Sequence, residues 1–401
     1  CMTSAEVTVT GPPELVITRS ADVTLACNGD ANGSGSFSVT GGTGVYTIVA
    51  DVNGTGAVTV PGPAGLTFTG ASGGVVSITV TDENDCAKTS SITINEPLPI
   101  TASAEVTSNY NGSHLSCYGA SDGRITVTAM GGTGNLSYVL TSDPSNVTGA
   151  ESGVFTGLPA GVHNFIVSDV NGCEVPVGPV TITPPPQLEI VVNVISDFNG
   201  RDISCYGASD GRAEAVVTGG TGSYTYTWYR DPGPSNPLGQ LTPVANNLTA
   251  GDYYVRARDI NGCTIDGSVT LSQPRALAAS VTNKENVDCF STATGSVTVE
   301  ANDTTGTAPY YYSIDGGSTW KDDGFFGNLT AMPYTVLVRD ANDCVITVPF
   351  TISQPSQLVA TVSALTHVSC NGGSDGSVTI TPSAGSGTAP YRFSLNGEPE
   401  V

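Results

Sequence analysis

Ten cysteines fall into two interleaved registers, and nothing else in the 401-residue chain limits its fold as tightly. Cys27, Cys117, Cys205, Cys289 and Cys370 follow one another at intervals of 90, 88, 84 and 81 residues. Cys1, Cys86, Cys173, Cys263 and Cys344 do so at 85, 87, 90 and 81. The second register ends the same phrase each time: Asp82-Glu83-Asn84-Asp85-Cys86, Asp169-Val170-Asn171-Gly172-Cys173, Asp259-Ile260-Asn261-Gly262-Cys263 and Asp340-Ala341-Asn342-Asp343-Cys344. A period in the eighties is far longer than a solenoid or propeller unit and matches one seven-strand β-sandwich per repeat.

Prolines punctuate the repeats at Glu96-Pro97, Pro184-Pro185-Pro186, Gln273-Pro274 and Gln354-Pro355. Proline withholds a ladder hydrogen bond and stiffens the chain, so short semi-rigid joints are expected there. The resulting domains are 14–97, 98–186, 187–274, 275–355 and a truncated 356–401, with 1–13 as the end of a preceding repeat. Cys1 stands where a closing cysteine would stand, so the chain reads as a segment of a longer array.

Composition agrees with an all-β chain. Val, Thr, Ile and Tyr are plentiful, and 49 glycines with 25 prolines suit many short strands and turns. In the third repeat, Leu188 to Ser196 reads as strand A and Arg212 to Thr218 as strand B. Gly219-Gly220-Thr221-Gly222 is the B–C turn, repeated at Gly41 to Gly44 and Gly131 to Gly134. Strand C starts at Ser223 and places Tyr224, Tyr226 and Trp228 on its inner face, which favours core over a sugar-stacking platform built with Trp320. Arg230 to Asn246 reads as a long connection before Leu248-x-x-Gly251-x-Tyr253, the pattern of a tyrosine corner opening strand F. Gly267 to Leu271 is strand G. Residues two, four and six before the repeated Asp form the inward face of F: Val76/Ile78/Val80, His163/Phe165/Val167, Tyr253/Val255/Ala257 and Tyr334/Val336/Val338.

Thirteen basic residues against 36 acidic ones give a net charge of −23, which argues against nucleic acid and anionic membrane surfaces as partners. No apolar run approaches the length of a membrane-spanning helix. His114, His163 and His367 are scattered, and C-x-x-C is missing, so zinc and histidine-based catalysis lack a constellation. Asn-x-Ser/Thr triplets, Asn111-Gly112-Ser113 among them, follow from a Thr- and Asn-rich composition.

Cysteines in even register point to disulfides in an oxidising compartment. Two pairings stand level. Within a repeat the pairs are 27–86, 117–173, 205–263 and 289–344. The A–B and F–G loops, however, lie at opposite ends of a sandwich, roughly 25–30 Å apart, while a disulfide needs Cα atoms within about 7 Å. The other pairing therefore joins successive repeats, as Cys27–Cys173, Cys117–Cys263 and Cys205–Cys344. Cys1, Cys86, Cys289 and Cys370 then pair outside the segment.

The Asp and Asn residues of the closing phrase offer hard oxygen ligands for calcium at Asp82, Asp169, Asp259, Asp340, Asn84, Asn171, Asn261 and Asn342. Asp122, Asp210 or Asp375 would complement them. Asx-turns explain the same residues without a metal, and the terminal Glu of an EF-type loop is missing. No cofactor is required by this reading.

Taken together, Cys117-Tyr-Gly-Ala-Ser-Asp-Gly123, its copies at Cys205 and Cys370, the Gly-Gly-Thr-Gly turns, Leu-x-x-Gly-x-Tyr, Asp-x-Asn-Gly-Cys and Gln-Pro resemble the SprB-type repeat of very large surface adhesins in gliding Bacteroidetes. The resemblance implies a tandem array of immunoglobulin-like antiparallel β-sandwiches, extracellular and cell-surface, exported by the type IX system. The first repeat departs most, with Cys27-Asn-Gly-Asp-Ala-Asn-Gly33 and an insert at 50–74. A structural stalk or filament that carries an adhesive tip is the leading expectation, with neighbouring repeats as its partners and self-association through strand edges as a variant. The alternative is a module whose loops at 50–74, 141–157, 230–246 and 315–327 bind a glycan or protein.

Overall fold

The computed structural model describes residues 2–52, 58–62, 65–233 and 235–398, and for 58–62 the backbone alone. Cys1 and part of the 50–74 insert lie outside the described residues. All the regular structure described is β-strand, and no helix is long and apolar enough to cross a membrane. Contacts divide the chain into two compact units. One comprises Cys1–Leu188, Gly219–Ser223 and Asp259–Cys263, the other Glu189–Thr218, Tyr224–Arg258 and Thr264–Val401.

Within the first unit two sandwiches are built on separate cores. The earlier one packs Val16–Arg19, Gly33–Thr40 and Gly65–Ala71 against a sheet of Val23–Thr24, Ala87–Asn95, Gly74–Thr81, Tyr46–Val52 and Val58–Gly62. Phe37, Ile48, Val76, Ile78, Val80 and Ile92 fill the space between. The next one sets Thr101–Val106, Gly123–Met130 and Val154–Leu158 on Ser137–Leu140, Gly161–Ser168 and Glu174–Ile182, around Leu115, Ile125, Phe155 and Phe165.

The second unit repeats the plan. Strands A (Glu189–Val194), B (Gly211–Thr218) and E (Val244–Leu248) face C (Thr225–Tyr229), F (Gly251–Arg258) and G (Thr264–Leu271). Trp228 is fully buried between them, its Nε1–H donating to the Thr242 carbonyl at 3.0 Å, so strand C supplies core. A further sandwich pairs Ala279–Glu285, Gly295–Ala301 and Phe325–Leu329 with Tyr311–Ser313, Pro333–Arg339 and Val345–Thr351. Beyond it Ala360–Thr366 and Ser377–Pro382 form a two-stranded ribbon.

Two expectations are corrected. The second, third and fourth sandwiches have six strands each among the described residues, not seven; in the third, Pro232, Pro237 and Pro243 withhold ladder donors in the C–E connection, which keeps a bridge between Tyr229 and Pro237. The tail of that same connection is strand E, which pairs with B through a register shift between Gly211 and Ala213. Its burial alternates from Val244 through Ala245 and then breaks over Asn246 and Asn247, where Asn247 takes a φ of 56°. That bulge hid the period of two.

Candidate functional site

At the start of each closing phrase sits a buried aspartate with both carboxylate oxygens occupied. Asp259 Oδ1 accepts the N–H groups of Asn261 and Cys263 at 3.0 and 2.9 Å, and Oδ2 accepts that of Thr221 at 2.9 Å. Asp82, Asp169 and Asp340 are bonded alike, through Thr43, Thr133 and Thr307. The carboxylate thus winds its own turn and ties it to the B–C turn. Hydrogen bonding from the Cys86 N–H, with Thr43 and Asn84 helping, holds the Asp82 carboxyl below the usual range despite burial. For Asp169, burial pushes the carboxyl up, but the N–H groups of Cys173, Thr133, Asn171 and Gly172 outweigh it and the net direction is down.

The B–C turn in turn fixes the linker. Gly42, Gly132, Gly220 and Gly306 donate their N–H to the carbonyls of Pro13, Leu98, Pro186 and Arg275 at 2.8 to 3.0 Å. In the first three of these turns the residue before is a glycine with positive φ, Gly41, Gly131 or Gly219, where the fourth has Thr305, and the linker runs so close that a Cβ on Gly219 would lie 1.9 Å from the Gln187 oxygen. Proline keeps its carbonyl acceptor, so a proline-bearing joint can be anchored this way.

Three of the four turns then meet the A–B loop of the repeat before them. Cystines join Cys27 to Cys173, Cys117 to Cys263 and Cys205 to Cys344, with Cα atoms 5.6, 5.7 and 5.7 Å apart. The bonds therefore link successive repeats, and pairing within a repeat does not occur at these six cysteines. Cys86, Cys289 and Cys370 are free and exposed thiols.

Beside two of the cystines lies a clasp of asparagines. Asn261 Nδ2 is placed to donate to the carbonyls of Tyr110 and Ser116 at 3.1 and 3.2 Å, while Asn111 Nδ2 donates back to Asn261 Oδ1 at 2.5 Å. Asn342 and Asn199 repeat this with the Phe198 and Ser204 carbonyls. At the Cys27–Cys173 junction only Asn171 takes part, donating to the Ala26 carbonyl at 3.0 Å. The difference is local. Tyr110-Asn-Gly-Ser113 and Phe198-Asn-Gly-Arg201 are tight turns with both central residues at positive φ, and the loop before Cys27 has no Asn-Gly turn. Asn111 and Asn199 were not recognised from sequence as junction residues; the aromatic-Asn-Gly string six residues before Cys117 and Cys205 is the signal that finds them.

Among the described residues no cluster of three or more His, Cys, Asp or Glu side chains is placed to hold a metal. The four aspartates and their asparagines are engaged with N–H donors, hydroxyls and carbonyls as described. Asp122, Asp210 and Asp375 likewise accept a backbone N–H, from Ser116, Ser204 and Ser369. At the far end of strand F, the Tyr253 hydroxyl donates to the Thr249 carbonyl at 2.9 Å and Tyr334 does the same to Thr330. His163 Nε2 lies 3.0 Å from the Pro159 carbonyl, so imidazole replaces phenol in the corner. Trp320 is half-buried under the Arg339 guanidinium, and its Nε1–H donates to the Gly317 carbonyl. The 315–327 insert opens with a self-bonded turn in which Asp315 accepts from Ser313 and Thr319, and it ends inside the strand Phe325–Leu329.

The SprB repeat model matches residues 111–144, 199–233, 281–319 and 362–398. The four matches start near the A–B loop or strand A of successive repeats, and the first repeat lies outside them. No curated protein matches the chain. Solved structures similar to it include invasin, a bacterial integrin-binding protein (12% identity, 90% of this chain and 82% of that one, TM-score 0.32). A 1.5-MDa bacterial ice-binding adhesin (14%, 66% and 98%, 0.30) and extracellular cadherin domains 3–6 of protocadherin gamma B2 (16%, 84% and 100%, 0.25) are further ones.

Proposed function

We propose that this chain, which carries a SprB-type repeat region, is a structural segment of an extracellular surface adhesin that projects an adhesive tip and transmits load to it. One observation carries the reading: the three cystines fasten the first four repeats in series instead of closing a repeat on itself. Each of the first four repeats already has its own core, so the bonds serve the joints. Disulfides and the family resemblance support a cell-surface location, with gliding motility and type IX export as the setting that the resemblance implies. The repeats are taken as 14–97, 98–186, 187–274, 275–355 and 356–401, and the role as non-enzymatic. The eight Asp and Asn residues of the closing phrases are read as builders of the joint with no need for calcium, and saturable calcium uptake in calorimetry would count against that.

Small-angle scattering of the oxidised and reduced chain tests the proposal. If the cystines hold successive repeats in fixed relation, reduction broadens the distance distribution while far-UV circular dichroism stays β-like. An unchanged distribution would defeat it. Binding to a glycan array by the intact chain would favour a recognition role for the variable loops.

A further inference from the structure

The three cystine junctions are guarded unequally. At Cys117–Cys263 the asparagine of the closing phrase spans the junction: Asn261 Nδ2 reaches the Tyr110 and Ser116 carbonyls, and Asn111 Nδ2 donates back to Asn261 Oδ1. Asn342 and Asn199 do the same at Cys205–Cys344. At Cys27–Cys173, Asn171 alone of the asparagines bridges to the loop, at the Ala26 carbonyl. Fewer bonds across a junction make its local opening less costly.

Exposure follows the same division. Ala26, Asn171 and Gly172 are exposed, whereas their counterparts Ser116, Asn261 and Gly262 at the second junction are half-buried, and so are Ser204 and Asn342 at the third. A concavity of about 380 Å³ lies against the first cystine, with Cys27, Asn28, Gly172, Cys173 and Glu174 in its wall. That volume is within the range of small-molecule sites and admits a low-molecular-weight thiol. Thiol–disulfide exchange needs the attacking thiolate to reach a sulfur, so access decides which cystine reacts first.

We propose that Cys27–Cys173 is a thiol-exchange site, a joint that small thiols open while the asparagine clasps keep Cys117–Cys263 and Cys205–Cys344 shut. This rests on the reading of the cystines as joints between repeats. In the exchange an external thiolate bonds to one cysteine sulfur, the cystine S–S bond breaks, and its electron pair leaves on the other sulfur as a thiolate. The joint is then open, and the first sulfur carries a mixed disulfide. A second external thiolate attacks the external sulfur of that mixed disulfide and expels the remaining cysteine thiolate. One cystine and two external thiols yield two cysteine thiols and one external disulfide. The two repeats concerned have separate cores, so exchange loosens the joint without melting either sandwich.

The test is timed exchange on the intact 401-residue chain. Pre-existing thiols are alkylated, 2-mercaptoethanol is added, and newly freed cysteines are trapped at intervals with a second alkylating agent and located by peptide mass. Cys27 and Cys173 should be labelled about tenfold or more faster than the cysteines of the two clasped junctions. Equal rates would overturn the proposal, as would faster labelling at either clasped junction. Asn111→Asp keeps a residue that tolerates positive φ but removes the donor to Asn261. It should speed exchange at Cys117–Cys263 several-fold and leave Cys205–Cys344 unchanged, with the far-UV circular dichroism of the parent chain, and Asn199→Asp should do the converse. Clasped junctions that stay slow in both variants would show that the asparagines are not the guard and sink the idea. Mapping before thiol is added reports the cystines themselves, so a failure of the joint reading appears as a missing Cys27–Cys173 peptide at time zero, before any rates are compared.

Discussion

An aspartate side chain does at the junction what a longer loop would otherwise have to do. Asp259 collects three backbone N–H groups from two turns far apart in sequence, and Asp259→Ala leaves all three without an acceptor in a buried place. Since each orphaned group costs about 1–3 kcal/mol and some regain water, a loss of about 2–3 kcal/mol in chemical denaturation is expected. Asp82 and Asp169 add a pH dependence whose sign follows from their depressed carboxyls. Their stabilisation is complete above the unfolded-chain value of about 3.9 and is lost as pH falls through the lower folded value. Thermal midpoints should therefore hold level from neutral to about pH 5 and drop below pH 4, and Asp82→Asn with Asp169→Asn should flatten that acid limb. A limb of the same depth in the double variant would show that other carboxylates cause it.

Turns and strands show how much was legible. The inward face of F reads directly from its period of two, and Val255, Ala257, Val336 and Val338 are buried as that period requires. Strand E is less visible because its bulge breaks the alternation, and the fourth-repeat turn Gly306-Thr307 escapes because it is spelled Thr-Gly-Thr-Ala. Geometry, not composition, decides the rest: Gly-Gly-Thr-Gly reads as a generic turn until the linker is seen crossing it. Gly219→Ala should cost about 1–3 kcal/mol, from positive φ together with the approach to the Gln187 oxygen. Gly222→Ala, whose Cβ would meet nothing within 4 Å, isolates the conformational part. Equal losses in the two variants would mean that the linker contact contributes nothing. The asparagine clasp was the least legible element, because its two halves are about 150 residues apart and only the fold brings them together.

Across the whole molecule the three cystine loops overlap, each opening before the previous one has closed. Cys27 and Cys344 are 317 residues apart along the backbone (344 − 27), yet the route through sulfur at 27–173 and 205–344 contains only 32 residues (205 − 173). At roughly 3.5 Å per extended residue, that is about 110 Å of slack in place of about 1,100 Å. In optical tweezers the oxidised chain should release about a tenth of the contour length between these points that it releases after reduction, even when every core has melted. Equal lengths under both conditions would rule this out. Unfolding and elongation are thereby separated: a repeat can lose its structure without lengthening the tether, since the strain passes along a sulfur-bridged shortcut that leaves most of the backbone off the line of tension.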